Sequence, residues 1–522
     1  MKRQGAGGET ILIIGAGLAG LATGCYAQMS GYQTRILEQH TRPGGVCTAW
    51  KRSGRSSSDG YTIDGCIHWL MGAAPGCAFH QLYDEVGALK GNTLIPLRHL
   101  VRFVDEASGQ QLEVTADLDR LVADMRAISP GDGPLIDELI RVARSFRGFD
   151  IPVHPPHELV GPLGRLKSAW QMRRWLGDLR RYNVPVATFA RRFQHPFLRW
   201  AVSHVFLPEM PVTMLAILLA QLAEGRLATV ERGSLEFALA IARRYHELGG
   251  EIVYGASVQE IVVEAGGGRG RKPDRAVGVR TSDGSEHRAD LVVSAADGHS
   301  TLFGMLGGRY GGPQARERFE TWPTFPPIGL ASYGVAHPCS DWPAESQIRL
   351  QSPLSIGGQE VEGLSCRVFR DPAYAPPGKA VVQAYFAADF DRWNDLQRSD
   401  RARYETEKAQ VAGQVLERLG AHLPGIANAV EMVDVATPYT FWRYTHNWRG
   451  AYKGWLMTPE HWGRPQPKTL PGLDGFYMAG QWVEPGGGVP AVLYSGRQVV
   501  QLVSQRDKVP PPTRHEKKAS EK

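Results

Sequence analysis

A βαβ signature near the start restricts the fold of this chain more than any other stretch. The apolar run Thr10–Ile14 reads as a buried strand, Gly15-Ala-Gly17-Leu18-Ala-Gly20 as a tight turn into a helix, and Gln33–Glu38 as the next parallel strand. Each glycine has a mechanical task. Gly15 makes the turn, Gly17 lets backbone amides approach a pyrophosphate at the positive end of the helix, and Gly20 lets helix and strand pack closely. Glu38 ends the second strand with a carboxylate suited to the ribose hydroxyls of an adenosine that carries no 2′-phosphate. An α/β fold with a doubly wound, nucleotide-binding sheet is therefore expected.

The run Gln39-His40-Thr41-Arg42-Pro43-Gly44-Gly45 follows Glu38 directly. A plain nicotinamide-binding unit has no reason to carry it. Here the chain resembles the flavoprotein superfamily of amine oxidases, phytoene desaturases, carotenoid isomerases and retinol saturases, in which such an E-x3-R-x-G-G run wraps the pyrophosphate and ribityl of FAD. The resemblance implies that Arg42 neutralises phosphate and that Gly44 and Gly45 lie against the cofactor. Many members place a second Arg after the glycine pair, where this chain has Val46, so one phosphate contact is missing.

The far end of the chain carries the same resemblance. Residues 473–481 (LDGFYMAGQ) look like the family's last strand, and residues 482–490 (WVEPGGGVP) like the loop opening its final helix, from Val489 to about residue 504. Gly480, Gln481, Gly487, Gly488 and Val489 are thereby expected to contact FAD. A glycine-rich turn leaves free amides at a helix N-terminus, where they can stabilise negative charge on a reduced isoalloxazine. A third block runs from Glu231-Arg-Gly233-Ser234 through an amphipathic helix and alternating strands to Ala289-Asp-Leu-Val-Val. In the resembling family a Val at the position of Val258 holds the adenine by its backbone. The glycine-rich stretch 266–271 reads as a hairpin or loop, because no helical pattern follows it.

This spacing predicts a discontinuous Rossmann-type FAD-binding domain at residues 8–90, 228–310 and 430–505. A mixed α+β substrate domain is expected at 91–227 and 311–429, and a disordered, charged tail at 506–522. With 522 residues, 43% of them hydrophobic, the chain can bury several cores. The six cysteines show no CxxC and no metal-ligand spacing, so no metal is expected and reduced thiols in a cytoplasmic protein are the default. No apolar run reaches the length of a bilayer span; the longest, residues 210–223, reads as a buried helix.

The net charge of +6 is concentrated. Between residues 161 and 208, Arg165, Lys167, Arg173, Arg174, Arg180, Arg181, Arg191, Arg192 and Arg199 face the single acid Asp178, interleaved with Trp170, Trp175, Tyr182, Phe189, Phe193, Phe197 and Trp200. Two readings stand: a helical region lying on a membrane surface, from which a greasy substrate is collected, or a solvated basic face over a packed aromatic core. Nothing else in the chain resembles a nucleic-acid module.

The resemblance implies an FAD-dependent oxidoreductase acting at carbon–carbon bonds of a hydrophobic isoprenoid or carotenoid-like substrate, desaturation first, with oxygen or a quinone as electron acceptor. A saturase, a redox-neutral carotenoid isomerase, a flavin amine oxidase and a non-enzymatic prenyl-binding chaperone are the alternatives. Tyr61-Thr-Ile-Asp64-Gly-Cys66-Ile-His68-Trp69 resembles the family's strand beside the flavin. His68 is the first candidate for a proton donor or flavin-edge contact, with a structural histidine as its alternative. Glu484 is the second candidate, with helix capping or surface use as its alternative. The aromatics of residues 438–455 are expected to roof the active site or to belong to the core.

Overall fold

The computed structural model describes residues 9–55, 60–267 and 272–510. The tail beyond residue 510 and most of the glycine-rich stretch 266–271 lie outside the described residues.

β1 (Thr10–Ile14) sits at the centre of a five-stranded sheet in the order Phe476–Met478, Leu291–Ser294, β1, β2 (Gln33–Glu38), Glu251–Tyr254. All four pairings are parallel. Covering on both faces explains why β1 is a continuous apolar run and not an alternating one. One cover is α1 (Leu18–Met29), whose residues 18–27 are all buried. The final helix, Gly488–Arg506, lies along α1 at a distance only glycine allows: a Cβ on Gly496 would come 2.8 Å from the Thr23 amide. An antiparallel layer of Val258–Glu264, Asp274–Thr281 and Glu286–Arg288 flanks this unit.

A seven-stranded sheet forms the second body, in the order Val430–Ala436, Ile328–Val335, Ala380–Ala387, Gln359–Phe369, Glu345–Ile356, His99–Asp105, Gln111–Thr115. Its edge strand Val430–Ala436 pairs antiparallel with Ile328–Val335. The substrate-side sheet therefore extends past the expected boundary at 430, because this strand satisfies its backbone against Ile328–Val335. The hairpin β3 (Ala49–Arg52) and β4 (Tyr61–Asp64) bridges the two bodies: Gln383 Nε2 donates to the Asp64 carbonyl at 3.1 Å.

The helical region fills the third side. Val212–Ala223 is buried from Val212 to Leu222, as the apolar run predicts. The basic, aromatic stretch divides in two. Tyr182, Phe189, Phe193 and Phe197 are buried, so its second half is packed core beneath exposed arginines, and the surface-lying reading does not extend to it. Its first helix, Pro162–Met172, exposes Leu163, Leu166 and Trp170 at 82%, 68% and 65%.

Candidate active site

One cavity of about 2050 Å³ runs from the C-terminal ends of the parallel strands into the space beneath the seven-stranded sheet. That is more than twice the upper end of ordinary ligand pockets, roughly 1,000 Å³, and leaves room for a dinucleotide and a large second molecule.

At its nucleotide end the fingerprint takes the form its glycines dictate. Gly15 has φ +94° and its amide donates to the Leu37 carbonyl at 2.8 Å. Gly20 faces the Gly15 carbonyl so closely that a Cβ would lie 1.9 Å from it. Gly17 differs, since a Cβ there would meet nothing within 4 Å, and Gly17 and Leu18 line the cavity. Glu38 is buried on the cavity wall, its carboxylate accepting from the Ala16 amide at 2.7 Å and the His40 amide at 2.8 Å. Burial raises its pKa, and those backbone bonds oppose the rise. The amide of Gly44 donates to Ala16 at 2.9 Å, and a Cβ on Gly45 would come 3.3 Å from Gly17. The glycine pair thus packs on the fingerprint itself. Val258 reaches the same wall from the flanking layer. Arg42 is half-buried on the adjoining loop, where its charge acts on His40, and it is not among the cavity-lining residues.

The distant C-terminal segment arrives at this crevice. Ala479 donates to the Ser294 carbonyl at 2.9 Å, Gly480 to Ser495 Oγ at 2.8 Å, and Gly480, Gln481, Gly487, Gly488 and Val489 line the cavity. The N-termini of α1 and of the final helix therefore open into one space. A Cβ on Gly488 also meets nothing within 4 Å. Open space over two helix N-termini, a buried carboxylate at the end of β2 on the cavity wall and a shared cavity fit FAD.

Beyond this end lie groups that sequence reasoning finds only in part. His68 follows β4 and is held by a buried tie: Asp64 accepts from the Ser234 amide at 2.7 Å and the Ser234 hydroxyl at 2.5 Å, while the Ile67 amide donates to that hydroxyl at 2.6 Å. The imidazole Nδ1 is 3.6 Å from Glu345 Oε1, and the ring packs on Tyr385 at 5.0 Å. His68 keeps 38% of its side chain exposed, yet only to the cavity. Burial, then the Arg367 and Lys453 charges, push its pKa well down, so the ring is neutral. Glu345 is bound by Arg367 Nε at 2.5 Å. Burial pushes its carboxyl up to about 7 against the pull of Arg367, which is itself held charged by Glu345.

Glu345 and Arg367 escape detection in the sequence because they are far from the motifs, and Lys453 because only the aromatics of its segment, residues 438–455, carry a signal. A signal for Arg367 exists in retrospect: it is a lone charge between buried neighbours Cys366 and Val368 in a strand. Glu484 is also buried on the cavity wall, but both its oxygens are taken, by Lys468 Nζ at 2.6 Å and the Tyr494 hydroxyl at 2.9 Å. That arrangement makes it the anchor of a buried ion pair and not a free acid or base. Of the expected roof, Tyr444 and Tyr452 line the cavity. Trp442 instead packs at a tilt on Tyr439, and Trp455 is buried against Phe319 and Trp482.

Comparison with known proteins agrees with this geometry. The family described as flavin containing amine oxidoreductase matches residues 18–504. A phytoene desaturase (neurosporene-forming) from Rhodobacter capsulatus is 27% identical, over 97% of this chain and 96% of its own. A chloroplastic prolycopene isomerase from Arabidopsis thaliana is 25% identical, over 94% and 82%. Among solved structures, an oxidoreductase from Methanosarcina mazei superposes with a TM-score of 0.58 at 18% identity, covering 94% of this chain and all of that one. A putrescine oxidase gives 0.56 at 14%, covering 95% and 99%. At those identities the structures show the fold alone.

Proposed function

From the premise that this chain belongs to the flavin containing amine oxidoreductase family and is an FAD-dependent oxidoreductase, we propose that it desaturates carbon–carbon bonds of a long, hydrophobic isoprenoid or polyene substrate. The observation that carries this reading is the continuity of the cavity. From the nucleotide crevice it passes into a chamber lined by Leu100, Val101, Phe206, Met214, Ile217 and Phe325. Apolar walls of this extent select a substrate by burial and shape.

When bound, FAD would supply the two-electron chemistry. The chain's own part is to hold the substrate, exclude water and move one proton at the neighbouring carbon. The neutral His68 ring presents one nitrogen to Glu345, whose carboxylate orients it and supports positive charge on it, while the other nitrogen can take the proton. Arg367 keeps the Glu345 carboxylate in place. Desaturation is then expected to rise through about pH 7 as Glu345 ionises. His68→Ala is expected to lower kcat/KM by about 10²–10⁴-fold, and Glu345→Gln to remove the pH limb, both read from rate–pH profiles. The sign for stability is opposite. With its pKa raised from 4.5 to about 7, Glu345 contributes most below the lower value and loses that contribution as pH climbs to the upper.

The decisive experiment incubates the yellow holoenzyme with polyene substrates aerobically and anaerobically and weighs the products. Loss of two hydrogens upholds desaturation. Unchanged mass with altered double-bond geometry points to an isomerase, and peroxide released with amines to an amine oxidase.

Access follows from the helix Pro162–Met172. Gly164, Lys167, Ser168 and Gln171 line the cavity, while Leu163, Leu166 and Trp170 are exposed to solvent. The Arg173 guanidinium lies 4.0 Å from the centre of the Trp170 ring, and Arg174, Arg180 and Arg181 are exposed nearby. Apolar anchors ringed by cations fit the surface of an anionic bilayer. No helix among the described residues is long and apolar enough to cross a membrane, so contact would be peripheral. Wild type is expected to co-sediment with phosphatidylserine-containing vesicles and to release in high salt. Leu166→Glu with Trp170→Glu should weaken binding by more than about tenfold, since each buried anchor is worth about 1.5–3 kcal/mol. Equal binding of the double variant would refute this contact.

A further inference from the structure

The β3–β4 hairpin places two cysteines face to face on the cavity wall. Ala49 pairs with Asp64, and the Gly65 amide donates to the Thr48 carbonyl at 3.0 Å. That bond carries the register one pair further and brings Cys47 opposite Cys66. Each lies in a bend one pair beyond the strand ends, the Cys47 amide donating to the Gly44 carbonyl at 3.0 Å and the Cys66 amide to Asp64 Oδ1 at 3.0 Å. Residues opposite each other in an antiparallel pairing share a face, with Cα atoms about 4.5–5.5 Å apart. A disulfide requires roughly 4.4–6.8 Å.

Both are free thiols. The Cys47 S–H donates to the Ser234 carbonyl at 3.2 Å, and the neighbouring Cys66 thiol, with burial, pushes its pKa up. Both residues line the FAD cavity. Cys47 follows the Gly44–Gly45 pair by two residues, and Cys66 precedes His68 by two. Cys47 is 3% exposed, whereas Cys66 is half-buried and close enough to the half-buried Lys453 for the two charges to interact. Cys66 is thus the sulfur that another molecule in the cavity meets first.

We propose that Cys47 and Cys66 form a redox-active pair that closes to a disulfide on the wall of the FAD cavity and exchanges two electrons with the cofactor. On closing, two S–H bonds are lost and one S–S bond forms; two electrons and two protons pass to oxidised FAD. On opening, reduced FAD returns them. The pair rests on FAD occupying the cavity and is independent of which carbon substrate is used. It gives a chain with one nucleotide fingerprint a second two-electron store. It also gives a soluble dithiol a route to the flavin, by thiol–disulfide exchange at Cys66.

The test uses the holoenzyme, oxidised with diamide and then titrated anaerobically with dithionite. Flavin absorbance is followed together with free thiols, read by alkylation and peptide mass. Wild type is expected to consume about twice the reductant per flavin of Cys47→Ser, because two two-electron couples fill instead of one. Its residue-47 and residue-66 peptides should become alkylated only after reduction. Cys66→Ser, at the more open position, gives the same comparison if Cys47→Ser loses its flavin. Thiols that alkylate fully after diamide overturn the pair. A disulfide that persists once the flavin is reduced, with reductant uptake equal to the variants, overturns the exchange. A protein that never carries flavin is recognised before titration by its lack of colour, so failure of the cofactor assignment is distinct from failure of the thiol proposal.

Discussion

Alanine at Gly20 is expected to yield a chain that retains no FAD and unfolds at markedly lower denaturant. Its Cβ would sit 1.9 Å from the Gly15 carbonyl oxygen and 3.3 Å from the Ala295 side chain. Neither obstacle is the flexible end of a long side chain. The helix would have to move off β1, and overpacking of that kind costs about 1–3 kcal/mol or more. The displacement also moves the helix N-terminus from the crevice it serves. Gly17→Ala is the control that separates fold from site. Gly17 has φ −66°, which any residue adopts, and its added methyl would enter open cavity. That variant should keep wild-type unfolding behaviour while losing cofactor, because the methyl occupies space the pyrophosphate needs. Flavin-to-protein ratios and urea unfolding of both purified variants check this. A Gly20→Ala protein with full flavin content would show that the turn is looser than its geometry implies.

The contrast between these glycines also explains what was legible in the chain. Gly15, Gly20, Gly44, Gly45 and Gly480 are constrained by backbone geometry, and such constraints leave a residue type at a fixed spacing. The parallel sheet, the crevice and the convergence of residues 480–489 on residues 15–20 could be read for that reason. Side chains that meet across the fold leave no such spacing. Glu345 and Arg367 come from neighbouring strands of the second sheet and reach His68 from a hairpin some three hundred positions earlier. Local pattern sees them as polar positions in alternating strands. The basic stretch 161–208 shows the same limit from the other side. Its composition is uniform, but its first helix is exposed while Phe189, Phe193 and Phe197 are buried. Only the tertiary neighbours, such as Phe103 against Trp200 at 5.4 Å, decide which aromatics are core.

Lys468→Met is expected to be among the most destabilising single changes in the chain, at about 3–5 kcal/mol. That is the usual cost of leaving one member of a buried ion pair alone. Lys468 is 0% exposed, Glu484 is 6% exposed, and they meet at 2.6 Å. Removing the ammonium leaves the Glu484 carboxylate in the cavity wall with the Tyr494 hydroxyl as its remaining partner. The chain then either buries an uncompensated charge or protonates it. The double variant Lys468→Met with Glu484→Gln tests the cause, because an amide can still accept from Tyr494 and carries no charge. It should recover a large part of the loss, so that the two substitutions are strongly non-additive in a double-mutant cycle. Additive effects would mean that the lysine acts through its packing alone. The pair also bears on function: residues 484–487 form the loop before the final helix, and Lys468 fixes the first of them. Flavin retention should fall in Lys468→Met and return in the double variant, tying the C-terminal wall of the cofactor crevice to one buried ion pair.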